Sequence, residues 1–504
     1  MNTERSKVYL LILSGFLVGL ISLIIPLLRD LHWESAGLAS LVAAFMAGWI
    51  AAGGKIKSHS VFLRVAALLI GWVVPLFFYA LFTHCLSFDG IAFWLFGPIP
   101  SMLFGWAIGR LVHRFGVRHG KPFTMFIILL IGMIPVIVEF LLFPQLYFFN
   151  HVWSYWPGPI YDQIVSLDSR LIAFRSLTIF WVITLWGIPD FFNEKICRWA
   201  VILGLGGLLF SYLHTSNWGF IAPEQRIQAE LGGVEETDHF RIFYTSGTLS
   251  AGTIDSITSE HEQHLREITD ILEVDRSWYT DNKIHAYIYH DQDQKKWLTG
   301  AGQTSYVPVW IDQDQMHIAR EHLNRVLRHE LVHIVSKQFG NWFGASTSIG
   351  LVEGVAVALD PDRRRSSVHQ LVAARDEWPD TEEIRQLFNP IGFYSVAGPI
   401  SYVISGSFVL YLLDHYPVDL FKDAYRSGNL EDSYPMTLDE LTSGWHQFLA
   451  GVEYDDDDQR RAVALFTTPS IFELPCPRVE RKIELEKTLS SHAYLETNQI
   501  PGCH

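Results

Sequence analysis

The chain has 504 residues, 49% of them hydrophobic and only 18% charged, which is too apolar a balance for an ordinary soluble enzyme. The formal net charge of −15 and the lack of a basic tail exclude a nucleic-acid-binding protein of the usual basic kind. Residues 1–222 hold most of the long apolar runs, whereas 223–504 have normal globular polarity and most of the negative charge, so the composition itself divides the chain.

Seven apolar runs, at about 8–28, 36–53, 61–83, 91–112, 123–149, 171–190 and 199–215, each come near the roughly 20 residues that a bilayer-crossing helix needs. No small-residue cleavage site follows the first, so it reads as an uncleaved anchor. Arg5 and Lys7 precede the first run, and Lys55 and Lys57 follow the second. Arg110, Arg114, Arg118 and Lys121 lie between the fourth and fifth, and Lys195 and Arg198 between the sixth and seventh. The alternate loops are poor in basic residues, so the positive-inside rule places the N-terminus in the cytoplasm. Seven crossings then put residues 223–504 outside the cell membrane; an even count would reverse that.

Within this half, 147–161 is crowded with aromatic residues, among them Phe148, Phe149, Trp153, Tyr155 and Trp156, and reads as an interfacial belt. The segment from Trp156 through Pro157, Gly158 and Pro159 to Asp162 has the makings of a rigid turn. Two ionisable groups fall inside runs. Glu139 reads as a protonated or paired packing residue, and Arg175 has to snorkel or pair. Two such groups make no transport relay.

From 220 to 237 the chain reads as a linker and domain entry. Residues 239–244 and 283–289 alternate like strands, and 253–274 has the period of an amphipathic helix. Two further short strands are expected at 306–311 and 315–319, with Pro308 marking the first as an edge to which a peptide could add by main-chain pairing. Strands followed by mainly helices predict an α+β domain over 223–450.

The chemistry concentrates in 325–360. His329-Glu330-Leu331-Val332-His333 reads H-E-x-x-H, and two histidines four apart share one helix face, so both imidazoles can reach one ion. Leu323, Leu327, Leu331 and Ile334 supply an apolar stripe and Gly340 a stop. Arg325, Arg328 and Lys337 keep the remaining faces wet, as in a soluble-domain helix. Glu353 follows on a second, nearly all-apolar helix, where an ionised carboxylate is costly unless paired or bound to metal. His329, His333 and Glu353 form a three-ligand set suited to Zn²⁺ with an open position for water. Glu330 stands beside it as the base for that water. Asp360, seven positions after Glu353, returns to the same face and is placed to orient a ligand histidine from behind.

These residues resemble the gluzincin metallopeptidases, the family of thermolysin and the zinc aminopeptidases. The likeness covers roughly 238–450 and is concentrated in the two helices. Glu353-Gly354-Val355-Ala356 ending in Asp360 is most similar to the aminopeptidase branch; the thermolysin branch carries an aspartate where Val357 stands. The aminopeptidases' G-x-M-E-N motif is absent. Its nearest counterpart, Thr299-Gly300-Ala301-Gly302-Gln303, lacks the glutamate that holds a free N-terminus, so the resemblance implies an endopeptidase. It also implies a phenol for the oxyanion. Tyr402, ahead of the apolar run 406–412, takes that role, with Tyr394 as second choice.

His415 reads as a helix-end residue and 455–458 as a solvated acidic linker, with 451–504 a separate C-terminal helical extension. Of the four cysteines, Cys85 falls in an outer loop and Cys197 near the inner face. Cys476 and Cys503 both lie in the external tail, where a disulfide between them is expected to clamp a helix around 479–495. The whole predicts a multi-pass helical membrane domain followed by an α+β, gluzincin-like zinc metallopeptidase domain acting on peptides or proteins outside the cell. The alternative is a membrane-bound sensor or assembly factor whose zinc domain binds peptides without turnover; an intact ligand set with Glu330 beside it favours the enzyme.

Overall fold

Helices long and apolar enough to cross a bilayer number seven among the described residues, by length and composition. In the computed structural model the described residues are 2–478, apart from 55, 160–164, 343, 361–366, 396–397, 468 and 475. They form two compact units: Met1–Pro223 with Leu298–Gly300 and the chain from Pro475, and Glu224–Trp297 with Ala301–Leu474.

The first unit contains α1 (Asn2–Ser22), α2 (Trp33–Ala52), α3 (Ser58–Phe82), α4 (Phe88–Phe96), α5 (Pro98–Arg114), α6 (Gly120–Leu142), α7 (Ser169–Gly187) and α8 (Lys195–Leu213). The fourth crossing comprises α4 and α5, separated by Gly97 with Pro98 opening the next helix. Small residues let these helices approach closely: a Cβ on Gly105 of α5 would lie 2.0 Å from the Ala44 carbonyl of α2. Phe126, Leu129, Met133, Ile137 and Leu141 of α6 are exposed, an apolar face suited to lipid.

The aromatic stretch departs from the expected belt. Strands β1 (Phe148–Asn150) and β2 (Ser154–Trp156) pair antiparallel, and Tyr147, Phe149 and Tyr155 are buried. The turn can sit inside because its polar groups are satisfied. Asn150 Oδ1 accepts from the Val152 amide at 2.8 Å, and Asn150 Nδ2 and Trp153 Nε1 both donate to the Gly132 carbonyl, at 3.1 and 3.0 Å. Part of the expected rigid turn, Ile160 to Asp162, lies outside the described residues. Glu139 accepts a hydrogen bond from Gln145 Nε2 at 3.4 Å, in keeping with a paired packing residue.

Cysteine pairing also differs from expectation. Cys476 is bonded to Cys85, with Cα atoms 5.6 Å apart, and both lie in an apolar cluster with Leu31, Trp72 and Leu76. The expected Cys476–Cys503 bond is therefore not formed; Cys503 and the helix expected at 479–495 lie outside the described residues. Three-dimensional proximity across 391 residues overrides nearness in sequence. Next to it, Arg478 is ion-paired with Glu34 of α2 and stacked over Trp33.

In the second unit the expected linker is ordered, as α9 (Glu224–Leu231) and β3 (Gly232–Glu236). A four-stranded sheet follows in the order β3, β4 (Phe240–Thr245), β5 (Ile284–Tyr289) and β6 (Gln315–Ala319). The β3–β4 pair is antiparallel, the other two are parallel, and Ile242, Ala286 and Met316 lie in register across it. The strand expected at 306–311 is not formed. Tyr306 makes one antiparallel bridge to His317, and Pro308 sits in a turn whose carbonyl accepts from Ile311.

Ile242, Ile284, Ala286, Ile288, Met316 and Ile318 enter one apolar core with α10 (Ala251–Ile271) and α11 (Leu323–Ser336). The same core takes in α12 (Ile349–Ala358) and α14 (Gly398–His415), the latter following α13 (Pro390–Ser395). His415 does end α14, its Nδ1 bonded to the Tyr411 carbonyl at 2.9 Å. The acids 455–458 are no linker. Asp455 caps α15 (Asp456–Phe466), accepting from the amides of Asp457 and Asp458 at 2.8 Å each, and acidic side chains suit the positive end of a helix. Residues 451–474 thus belong to the second unit rather than to a separate extension.

Candidate metal centre

The apolar stripe Leu323, Leu327, Leu331 and Ile334 is fully inside, which holds α11 against the core with its histidine face turned toward α12. The α-helix ends at Ser336 and a tight 3₁₀ turn leads to Gly340. Arg328 and Lys337 are not simply solvated. Arg328 pairs with Glu267 of α10 and donates from Nε to the Leu359 carbonyl at the end of α12. Lys337 Nζ pairs with Asp314 Oδ1 at 2.5 Å. These two cations tie α11 to its neighbours, one from its second turn and one from its C-terminal end.

Helix α12 lies unusually close to α14, and glycine makes this possible. A Cβ on Gly354 would meet the Ser405 carbonyl oxygen at 2.9 Å and Val409 Cγ2 at 2.7 Å; one on Gly406 would meet Val357 Cγ1 at 2.3 Å. Gly354 directly follows Glu353, so the contact with α14 sets the position of the carboxylate.

The outcome is a nearly equilateral triangle of donor atoms. His329 Nε2 and His333 Nε2 are 3.1 Å apart, and Glu353 Oε2 is 3.4 Å from the first and 3.5 Å from the second. All three side chains are largely buried, at 6%, 10% and 14% exposure. Zinc–nitrogen and zinc–oxygen bonds of about 2.0–2.2 Å at tetrahedral angles would place neighbouring donors about 3.3–3.6 Å apart, which the two histidine–Glu353 separations match and the 3.1 Å between the imidazoles slightly undercuts. The donor set and its spacing therefore fit one divalent cation. Among the described residues no other His, Cys, Asp or Glu group converges in this way.

Burial works to raise the Glu353 carboxyl, but His333 and His329 beside it prevail and hold it well below the usual carboxylate range. It is thus an anion ready to serve as a ligand. Its charge is felt nearby. Burial, and then Glu353, pushes the Tyr394 phenol up to about 12, and the same two causes raise the buried Tyr425.

Glu330 is buried at 5% exposure in the turn between the two histidines. Tyr402 comes off α14 half-buried, its ring 6.4 Å from that of His329 and 5.2 Å from that of Phe393. Tyr394 is more exposed, on α13. Asp360 is buried just beyond α12. The two helices thus bring His329, His333 and Glu353 together with Tyr402 alongside.

Sequence reasoning missed the Arg328 brace, Tyr425 and the Gly354–Gly406 crossing. Only the last had a readable signal, a glycine adjoining a ligand in a helix that otherwise has no need of one. No family model matches this sequence, and no curated protein matches it.

Proposed function

We propose that the second unit is a gluzincin-like zinc endopeptidase that hydrolyses peptide bonds of peptides or proteins outside the cell membrane. The observation that carries this reading is the 3.1–3.5 Å triangle of two imidazole nitrogens and one carboxylate oxygen, with Glu330 buried on the same helix. A zinc ion held by His329, His333 and Glu353 would supply Lewis acidity toward the scissile carbonyl and lower the pKa of a water. Glu330 takes the proton of the attacking water and hands it to the departing amine. The Tyr402 hydroxyl donates to the carbonyl oxygen as negative charge develops there, with Tyr394 the second choice for that task. Asp360 holds a ligand histidine in orientation from behind.

The external placement rests on loop charges and on the disulfide. A bond between Cys85 and Cys476 requires an even number of crossings between them, and α4–α5, α6, α7 and α8 provide four. With the N-terminus in the cytoplasm, the α3–α4 connection and the second unit both lie on the oxidising side, where disulfides persist.

The test uses the full chain in detergent, assayed for bound zinc and for cleavage of a peptide library, beside Glu330→Gln. About one zinc per chain, with cleavage in the parent and none in the variant, supports an enzyme. Zinc without turnover in either would make the unit a peptide-binding sensor or assembly factor, and lack of zinc would dismiss both readings.

A further inference from the structure

Arg175 of α7 neither reaches water nor meets a carboxylate. It is 3% exposed, and its Nη1 donates to the Asn150 carbonyl at 3.0 Å. Nε and Nη2 are buried without a hydrogen-bond partner, and no acidic side chain among the described residues bears on them. The turn that Arg175 holds fixes its depth. Asn150 Nδ2 and Trp153 Nε1 donate to the carbonyl of Gly132, which stands twelve residues from one end of α6 and ten from the other. At about 1.5 Å per residue those distances are about 18 and 15 Å, the middle of a bilayer-crossing helix. Lipid headgroups are out of reach there.

A guanidinium keeps its proton in proteins, so the charge persists. Water satisfies N–H groups but leaves that charge unbalanced in a low dielectric, which is the larger cost. The two open N–H groups share one edge of the planar fork, away from Nη1 and its carbonyl partner, so a single atom can accept from both. Other donors of the turn are committed. Asn150 Nδ2 and Trp153 Nε1 serve Gly132, and the Val152 and Trp153 amides serve Asn150 Oδ1. His151 Nδ1 is engaged with Thr178 Oγ1 at 2.8 Å. An oxyanion would bring several oxygens to a place that offers donors for one. A monatomic anion needs no more than the fork supplies.

We propose that Arg175 holds a chloride ion among the membrane-spanning helices of the first unit, as its counter-ion. The full chain in mild detergent is equilibrated with graded bromide and desalted into gluconate. Chloride plus bromide per chain is then counted by X-ray fluorescence, which also registers an ion that does not exchange. The parent holds about one halide. Arg175→Met, an apolar replacement suited to the hydrocarbon, holds none. Arg175→Lys keeps the charge but not the fork and needs about tenfold more bromide for the same occupancy. Arg118→Met, at an exposed position between α5 and α6, holds as much as the parent and controls for surface halide. Selenate, a tetrahedral oxyanion counted by the same method, does not replace the halide. A parent without halide overturns the proposal, as does an Arg175→Met chain that retains as much as the parent. If Arg175→Met does not fold, an Arg175→Lys occupancy curve identical to the parent's overturns it instead. Replacement of the halide by selenate, one for one, would also overturn it.

Discussion

Because His329, His333 and Glu353 each contribute one donor atom to the same point, removing any of them opens a buried cluster whose remaining charges no longer balance. His333→Ala and Glu353→Ala are each expected to lower bound zinc from about one per chain to a small fraction, read by elemental analysis. Glu330→Gln keeps its shape and is not a ligand, so zinc should stay while cleavage falls by about 10²–10⁴-fold. Tyr402→Phe deletes only a hydroxyl. If that group stabilises the oxyanion, kcat drops about 10²-fold with KM little changed. An equal effect from Tyr394→Phe, with none from Tyr402→Phe, would transfer the role to Tyr394.

At the scale of elements, the site depends on how closely α12 approaches α14. Gly354→Val places methyl groups where the Ser405 carbonyl and Val409 already stand, and overpacking of this kind costs about 1–3 kcal/mol. The expected reading is a lower melting temperature together with weaker zinc retention, since the displaced helix carries Glu353. A variant that melts lower yet keeps its zinc would show that the crossing and the ligand are uncoupled. The two ligand helices were legible in sequence because helical period and motif spacing are local. The stripe from Leu323 to Ile334 and the apolar setting of Glu353 both signal which face is inside. The crossing of α12 and α14 was not, as it depends on which helix happens to lie opposite. Asp455 shows another limit: acids that read as a solvated run are equally the residues that cap a helix start. The β1–β2 hairpin was misread because aromatic residues serve a membrane interface and a buried turn alike.

For the whole molecule, long-range pairing was the least visible feature, since nothing near Cys85 or Cys476 in sequence points to the other. The resulting topology has a direct check. In a Cys503→Ser background, a membrane-impermeant maleimide added to intact cells should label Cys476 in a Cys85→Ser variant and Cys85 in a Cys476→Ser variant, but neither when both are present. Cys197 should react only after permeabilisation. Labelling of the freed cysteine solely after permeabilisation would put the second unit inside.

Acid sensitivity is also a property of the assembled second unit. Burial lowers His261 to about 4, aided by His264 and opposed by its bond to the Ile257 carbonyl. Burial lowers His369 to about 4 as well, with His415 adding to it, and His317 falls well below its usual 6.5. Each takes up its proton on unfolding before it does when folded, so stability is full above about 6.5 and declines as pH falls toward 4. Melting temperature should therefore drop steadily between those values, and His369→Gln should flatten part of the slope. A melting temperature unchanged across that window would contradict the buried, neutral state of these rings.

The central claim is that three side chains from two helices form one metal site, and zinc K-edge absorption of the purified chain measures this most directly. The account predicts about one zinc per chain with two imidazole nitrogens and carboxylate and water oxygens at about 2.0–2.2 Å, and an imidazole contribution that disappears in His329→Ala/His333→Ala. A spectrum with no imidazole ligation, or one unchanged by that double substitution, would contradict it.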